Sequence, residues 1–224
     1  MTEVNTFSAA IDDVVTRSGR KDRIADILSY VRSTIRECHG LAFFRQDFVE
    51  DTITTAAEPY VWTHPTGFRL LRTARYPVFN NRGEPLYPPE IKPGKRQRDL
   101  DYYYYGGPGY YVFAGLSSGS DIDIGYYRVF PKLAYYALAA RPATFSLEDN
   151  AWSYLTATTD AEKLAAQEQV SNWLLYEYYD TIIEGTLAKL FKSIDDPRAR
   201  SSFALYKSYQ QTLLSLEPSD SLNK

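Results

Sequence analysis

The chain has few of the residues that usually carry chemistry. Its 224 residues include one cysteine, Cys38, one methionine and two histidines, His39 and His64. A single cysteine rules out a disulfide framework within the chain and fits folding in a reducing cytosol. Cys38 and His39 are adjacent, with no second pair at ligand spacing, so a zinc site has no support. Long hydrophobic runs are also missing. The longest uninterrupted apolar or aromatic stretch is LAYYALAA at 133–140, far short of a membrane span. The first residues, MTEVNTFSAAIDD, lack the basic-then-apolar pattern of a secretion signal. The expectation is a soluble protein with no membrane partner. Net charge is small, with 25 Lys and Arg against 28 Asp and Glu, or −3. That balance argues against a nucleic-acid binder held by phosphate contacts.

Catalytic motifs are equally thin. GLSSG at 115–119 matches a serine-nucleophile pattern, which needs a helix after Ser117 and a histidine later in the chain. Strand-like residues follow it, and both histidines precede it. A hairpin turn is the better reading. DIDIG at 121–125 hints at a calcium loop but lacks the third ligand position and the distal glutamate. Alternating Asp and Ile is also what a half-buried strand looks like. No glycine-rich phosphate loop ending in Gly-Lys-Ser/Thr is present. We expect no catalytic residue, no metal and no cofactor.

Tyrosine is abundant: 20 residues, within an aromatic share of 15%. Six of them, Tyr102, Tyr103, Tyr104, Tyr105, Tyr110 and Tyr111, fall in the stretch DYYYYGGPGYY. Tyr has an apolar body and a polar tip, which suits half-buried contact surfaces. Four consecutive Tyr in a strand alternate between its two faces. One reading has both pairs covered by other strands. A second makes one pair an interface, and a third a sugar-stacking platform. Two basic clusters, RSGRKDR at 17–23 and IKPGKRQR at 91–98, read first as solvated loops. Lys95, Arg96 and Arg98 of the second can instead meet an acidic partner or passing DNA.

The pattern along the chain is helix, then strand, then helix. Residues 5–16 place Phe7, Ile11 and Val14 on one helical face. From Asp22 to His39, Ile24, Ile27, Leu28, Val31 and Ile35 recur at spacings of three and four, and Gly40 is a plausible stop. From 43 to about 130 the period shortens. FFRQDFVEDTIT alternates, with Phe44 and Phe48 on one side and Val49, Asp51 and Ile53 on the other. YVWTH-PTG-FRLLRTARY reads as strand, turn, strand, and YPVF-NNRG-EPLYPPEI as a hairpin. DYYYY-GGPG-YYVFAG and SDIDIGYYRVF supply further strands. Four to six antiparallel strands in a small sandwich or twisted sheet are expected. Helical signals return after 150. The longest candidate, capped by Thr159 or Asp160, runs to Ile194 with Leu164, Val170, Leu174, Ile182, Leu187, Leu190 and Phe191 on a buried face. Gly185 reads as its weak point. Asp196 and Pro197 open a last helix, 197–216, with Phe203, Tyr206, Leu213 and Leu216. The fold class is therefore α+β: N-terminal helices (1–42), an antiparallel β region (43–131), C-terminal helices (132–216) packed with the N-terminal ones as a bundle, and a polar tail (217–224).

In order and spacing these segments resemble the head-to-tail adaptor (connector) proteins of tailed bacteriophages. The resemblance covers residues 5 to 210. It is carried by the Arg17–Arg20 break, the helix RIADILSYVRSTIREC, the strand FRQDFVEDT and the segment GFRLLRTARYPVF. GGPGYYVFAG, DIDIGYYRVFPKL and WLLYEYYDTIIEGTLAKLFKSIDDPRA complete it. It implies a structural protein made in the bacterial host cytoplasm and placed in the virion neck. There it forms a homo-oligomeric ring, commonly a dodecamer, that binds the portal protein and the next tail or neck component. Genomic DNA passes through the channel without sequence-specific binding, and no enzyme activity is implied. The C-terminal segment, with Leu216 and Leu222, reaches toward the portal. The alternatives are another neck or tail-completion protein of the same particle, or a carbohydrate- or ligand-binding β module.

Overall fold

A computed structural model describes residues 5–56, 59–75, 102–114, 118–129, 133–136, 145–146, 151–152 and 170–216, with Arg75, Tyr102–Tyr105, Phe145, Ser146, Ala151, Trp152 and Leu216 described by backbone alone. They form an α+β fold in two units, residues up to 46 with those from 133 onward, and residues 47–129. The sequence expectation put these joints at 42/43 and 131/132.

Helix α1 (Phe7–Ser18) starts where the Thr6 hydroxyl accepts the Ala9 N–H at 3.1 Å. It ends at Gly19, whose N–H returns to the Val15 carbonyl at 2.9 Å. One 3₁₀ turn (Lys21–Arg23) leads into α2 (Ile24–Gly40). The expected stripes are buried: Phe7, Ile11 and Val14 on α1, Ile27 and Val31 on α2. Ile24 lies outside its stripe and is exposed.

The long C-terminal helix is not continuous. Its expected start, with Thr159, Asp160 and Leu164, lies outside the described residues. The Asn172 side chain caps α3 (Trp173–Glu177) by accepting the Leu175 N–H at 3.0 Å. Tyr178, at φ −125° and ψ 40°, then breaks the helix before α4 (Tyr179–Ser193). Within α4, Gly185 is a contact point: a Cβ there would stand 2.5 Å from Thr34 of α2 and 2.6 Å from the Tyr206 ring. The last helix, α5 (Ala199–Leu216), follows a turn in which Arg198 clasps Asp196 at 2.7 Å and lies over the Phe191 ring. Its buried face is Ser202, Tyr206, Gln210 and Leu213. Phe203, expected on that face, is 53% exposed. Helices from both ends of the chain share one core, joining Phe7, Ile27, Val31, Ile182, Tyr206 and Leu213. Phe44 also belongs to it. This residue, expected in a strand, lies just before the first strand and packs on Trp173 with ring centroids 5.1 Å apart.

Residues 47–129 hold two three-stranded antiparallel sheets. β1 (Phe48–Thr54), β6 (Asp121–Arg128) and β3 (Phe68–Arg75) form one, in the order β1-β6-β3. β2 (Tyr60–Thr63), β5 (Tyr110–Ala114) and β4 (Tyr102–Gly107) form the other, in the order β2-β5-β4. β2 and β3 are separated by one turn, with the Phe68 N–H on the Pro65 carbonyl, yet they do not pair; the chain changes sheets there. Both sheets contribute to one core, with Ile53, Leu71, Ile122 and Ile124 from the first and Trp62 and Phe113 from the second. The hairpin expected at 76–91 lies outside the described residues. A short pair, β7 (Phe145–Ser146) with β8 (Ala151–Trp152), falls within the stretch assigned to the C-terminal helices.

Candidate partner interface

The tyrosine stretch forms the expected β4–β5 hairpin. Gly109, at φ +94°, takes a conformation that side-chain-bearing residues resist, and Pro108 stiffens the turn. Tyr110 lies across the glycines: a Cβ on Gly107 would stand 3.1 Å from its ring. A register shift between Tyr105 and Gly107 sets the rest of the ladder. Tyr103 is opposite Phe113 and Tyr105 opposite Tyr111, while Tyr102 is opposite Ala114 and Tyr104 opposite Val112. On the far side of β5, Tyr60 pairs with Phe113, Val61 with Val112 and Trp62 with Tyr111.

These rows divide the sheet by environment. Phe113 is fully buried, and Trp62 is 7% exposed in the shared core. Around Trp62 the rings of Phe68, Tyr111 and Tyr126 pack with centroids 5.6, 6.3 and 5.7 Å away. His64 stacks on Phe68 at 3.9 Å, and its main-chain N–H holds the hairpin turn by donating to the Gly109 carbonyl at 2.8 Å. Burial pushes the His64 imidazole below its ordinary value. A sugar platform would display its tryptophan; Trp62 instead fills the core. The next row is mixed: Val112 at its centre is 6% exposed, and Val61 at its edge is 51% exposed.

The helical unit also leaves apolar side chains exposed, with Phe203 and Leu214 on one flank of α5 and Leu205 on the other. Phe203, Leu205 and Leu214 of α5 are 53%, 46% and 43% exposed. The 18 residues of that helix include Arg200 and Lys207 and no acidic residue. A water-facing helix surface ordinarily carries many charges.

The other candidates dissolve into local structure. Ser118 donates its hydroxyl to the Ala56 carbonyl at 3.0 Å, and β6 begins two residues after the turn, so no helix follows the GLSSG motif. Ser117 itself lies outside the described residues. The Asp121 and Asp123 carboxylates accept hydroxyls from Thr54 and Thr52 of β1 at 2.7 and 2.8 Å, as strand residues do. Among the described residues, no group of three or more His, Cys, Asp or Glu is placed to hold a metal, and no helix is long and apolar enough to cross a membrane. Cys38 is buried beside the Tyr206 hydroxyl, 3.7 Å away, and burial pushes its thiol up to about 11. Such a thiol is a weak nucleophile.

The basic cluster at 17–23 is largely matched within the chain. Arg17 meets Asp13 at 2.9 Å and Glu184 at 3.4 Å, Arg20 meets Asp22 at 2.7 Å, and Arg23 pairs with Asp26. Lys95, Arg96, Arg98 and Leu222 lie outside the described residues, and Leu216 is the last residue of α5. Sequence reasoning missed Val61, Leu205 and Leu214. Their signal was available in the scarcity of charge on β2 and α5. No family model and no curated protein matches the chain.

Proposed function

We propose that this chain is a structural head-to-tail adaptor of a tailed bacteriophage. Copies form a ring beneath the portal, extend the DNA channel and join the capsid to the tail, with no catalytic step. The observation that carries the reading is that each unit leaves large apolar side chains in water: Val61 beside the tyrosine hairpin, and Phe203, Leu205 and Leu214 on α5. Such side chains supply contact area when a partner covers them. A ring held between two other rings needs several contact surfaces on every copy, and they must be unlike one another. The sequence of motifs from Arg17 to Ala199 supports the same conclusion.

The hairpin is the contact that tests it. Because β4 alternates, one tyrosine pair serves the core and the other a partner. The register sets Tyr103 and Tyr105 opposite Phe113 and Tyr111, and Tyr102 and Tyr104 opposite Ala114 and Val112; Val112 is buried, and the exposed member of its row is Val61 at the edge. Tyr102→Ser with Tyr104→Ser is expected to keep the fold and abolish docking on the portal. A central interface Tyr contributes on the order of 2 kcal/mol, repeated at every contact of a ring. Tyr103→Ser with Tyr105→Ser is expected to damage the fold. Circular dichroism and mass photometry with portal read the two outcomes. If both double variants fold and dock normally, the hairpin is not the contact. Docking on tail tube instead of portal reassigns the chain to the tail-completion components.

A further inference from the structure

Among the described residues, the β1-β6-β3 sheet has edges of opposite sign. β1, at one edge, carries Glu50 and Asp51 and no cation; β3, at the other, carries Arg69, Arg72 and Arg75 and no anion. Glu50, Asp51 and Arg72 are exposed and Arg69 is half-buried. The other sheet differs, for neither of its edge strands, β2 and β4, holds a charged residue. Charge on an edge strand keeps stray strands away, and any mixture of signs does that. One sign per edge, reversed between edges, does more. It repels the like edge of another copy and attracts the unlike one. Both edge strands run antiparallel to β6, so they share one direction. A second copy set beside the first therefore presents β1 to β3 without being inverted.

We propose that copies of this chain associate head to tail through these two edges, with Glu50 and Asp51 of one copy facing Arg69 and Arg72 of the next. The contact is heterologous, as a ring requires. The inference rests on the ring reading and deepens it, since it leaves the tyrosine hairpin for the neighbouring component. Arg69 and Arg72 already engage groups of their own chain. A guanidinium has five donors in a planar fork, so one engaged partner does not preclude a carboxylate from the next copy.

The test is a charge exchange on the full chain, followed by mass photometry and sedimentation at low and high salt. The wild type is expected to assemble, less so at high salt. Glu50→Arg with Asp51→Arg, and Arg69→Glu with Arg72→Glu, are each expected to be folded and monomeric. An equimolar mixture of the two is expected to regain the wild-type oligomer, because every junction then joins unlike signs. Neutral versions, Glu50→Gln with Asp51→Asn and Arg69→Gln with Arg72→Gln, guard against misfolding and are expected to assemble weakly. If the reversed variants assemble as the wild type does, this inference fails and the ring stands on other contacts. If they are monomeric but their mixture stays so, the pairing is wrong. If the wild type is monomeric at every salt concentration, self-association through these edges is refuted, and docking on the portal decides the ring separately.

Discussion

Gly185→Ala sets two physical expectations of opposite sign against each other. In an isolated helix the substitution stabilises by about 1 kcal/mol, because glycine loses more backbone entropy on folding. In this fold the added methyl would lie 2.5 Å from Thr34 Cγ2 and 2.6 Å from Tyr206 Cε2. Carbon atoms rest at about 3.5–4.0 Å, so the overlap is roughly 1 Å against two helices at once. Neither neighbour yields easily. Thr34 is β-branched and fully buried; the Tyr206 ring is buried, and its hydroxyl meets Cys38 and Glu37. Overpacking of this kind costs about 1–3 kcal/mol, occasionally more. Subtracting the propensity gain leaves a net loss of up to about 2 kcal/mol, and the overlap of roughly 1 Å with two fixed neighbours places this site toward the upper end. Urea unfolding is expected to show a lower midpoint with an unchanged slope. Thr34→Ser removes the contacting methyl, so the double variant should lose less than the sum of the two single losses. A Gly185→Ala protein as stable as the wild type, or more so, would refute the packing of α2, α4 and α5 at this point.

Two further outcomes follow from burial. Ile27→Asp puts an unpaired carboxylate at a fully buried position and is expected to prevent cooperative folding, seen as loss of a thermal transition in circular dichroism. Because the His64 pKa is lowered in the folded protein, the unfolded chain binds the proton more readily. Stability from the neutral ring is therefore complete above the unfolded value of about 6.5 and declines as pH falls through it toward the lower folded value. Thermal midpoints measured across that window are expected to drop for the wild type and to stay flatter for His64→Phe; equal slopes would exclude His64 as the source.

Much of the helical unit was legible because a period of 3.6 residues depends only on local order. Phe7, Ile11 and Val14, and then Ile27 and Val31, announce their faces without knowledge of any partner. The hairpin was legible for a similar reason, since Gly-Gly-Pro-Gly between two tyrosine runs permits little else. The break at Tyr178 was not, because WLLYEYYD keeps a helical pattern on both sides of it. The face of α5 was legible in part: Tyr206 and Leu213 are buried as expected, and Phe203 is not. Hydrophobicity favours Phe203, but the crossing with α4 takes Ser202 and the network around Tyr206. Gly185 looked like a flaw in one helix and is a requirement of three. The change of sheet between β2 and β3 depends on pairings with β5 and β6, far along the chain. The candidate interface was legible where residue type marks it, in the tyrosines. The surface around Val61 and α5 needed the fold to show which apolar residues the core leaves out.

The helical core is assembled from the two ends of the chain, and this gives it a history during synthesis. More than a hundred residues separate the end of α2 from the start of α4. At about 5–20 residues per second the ribosome takes roughly 7–28 seconds to make them. Throughout that interval the apolar stripes of α1 and α2 have been made and their permanent cover has not. The strands from Phe48 to Arg128 emerge before the C-terminal helices, so they can close before the helical core does. Chaperones that shield apolar helices then have a long window on the nascent chain. A premature stop before α5 leaves an exposed sticky surface instead of a smaller working protein.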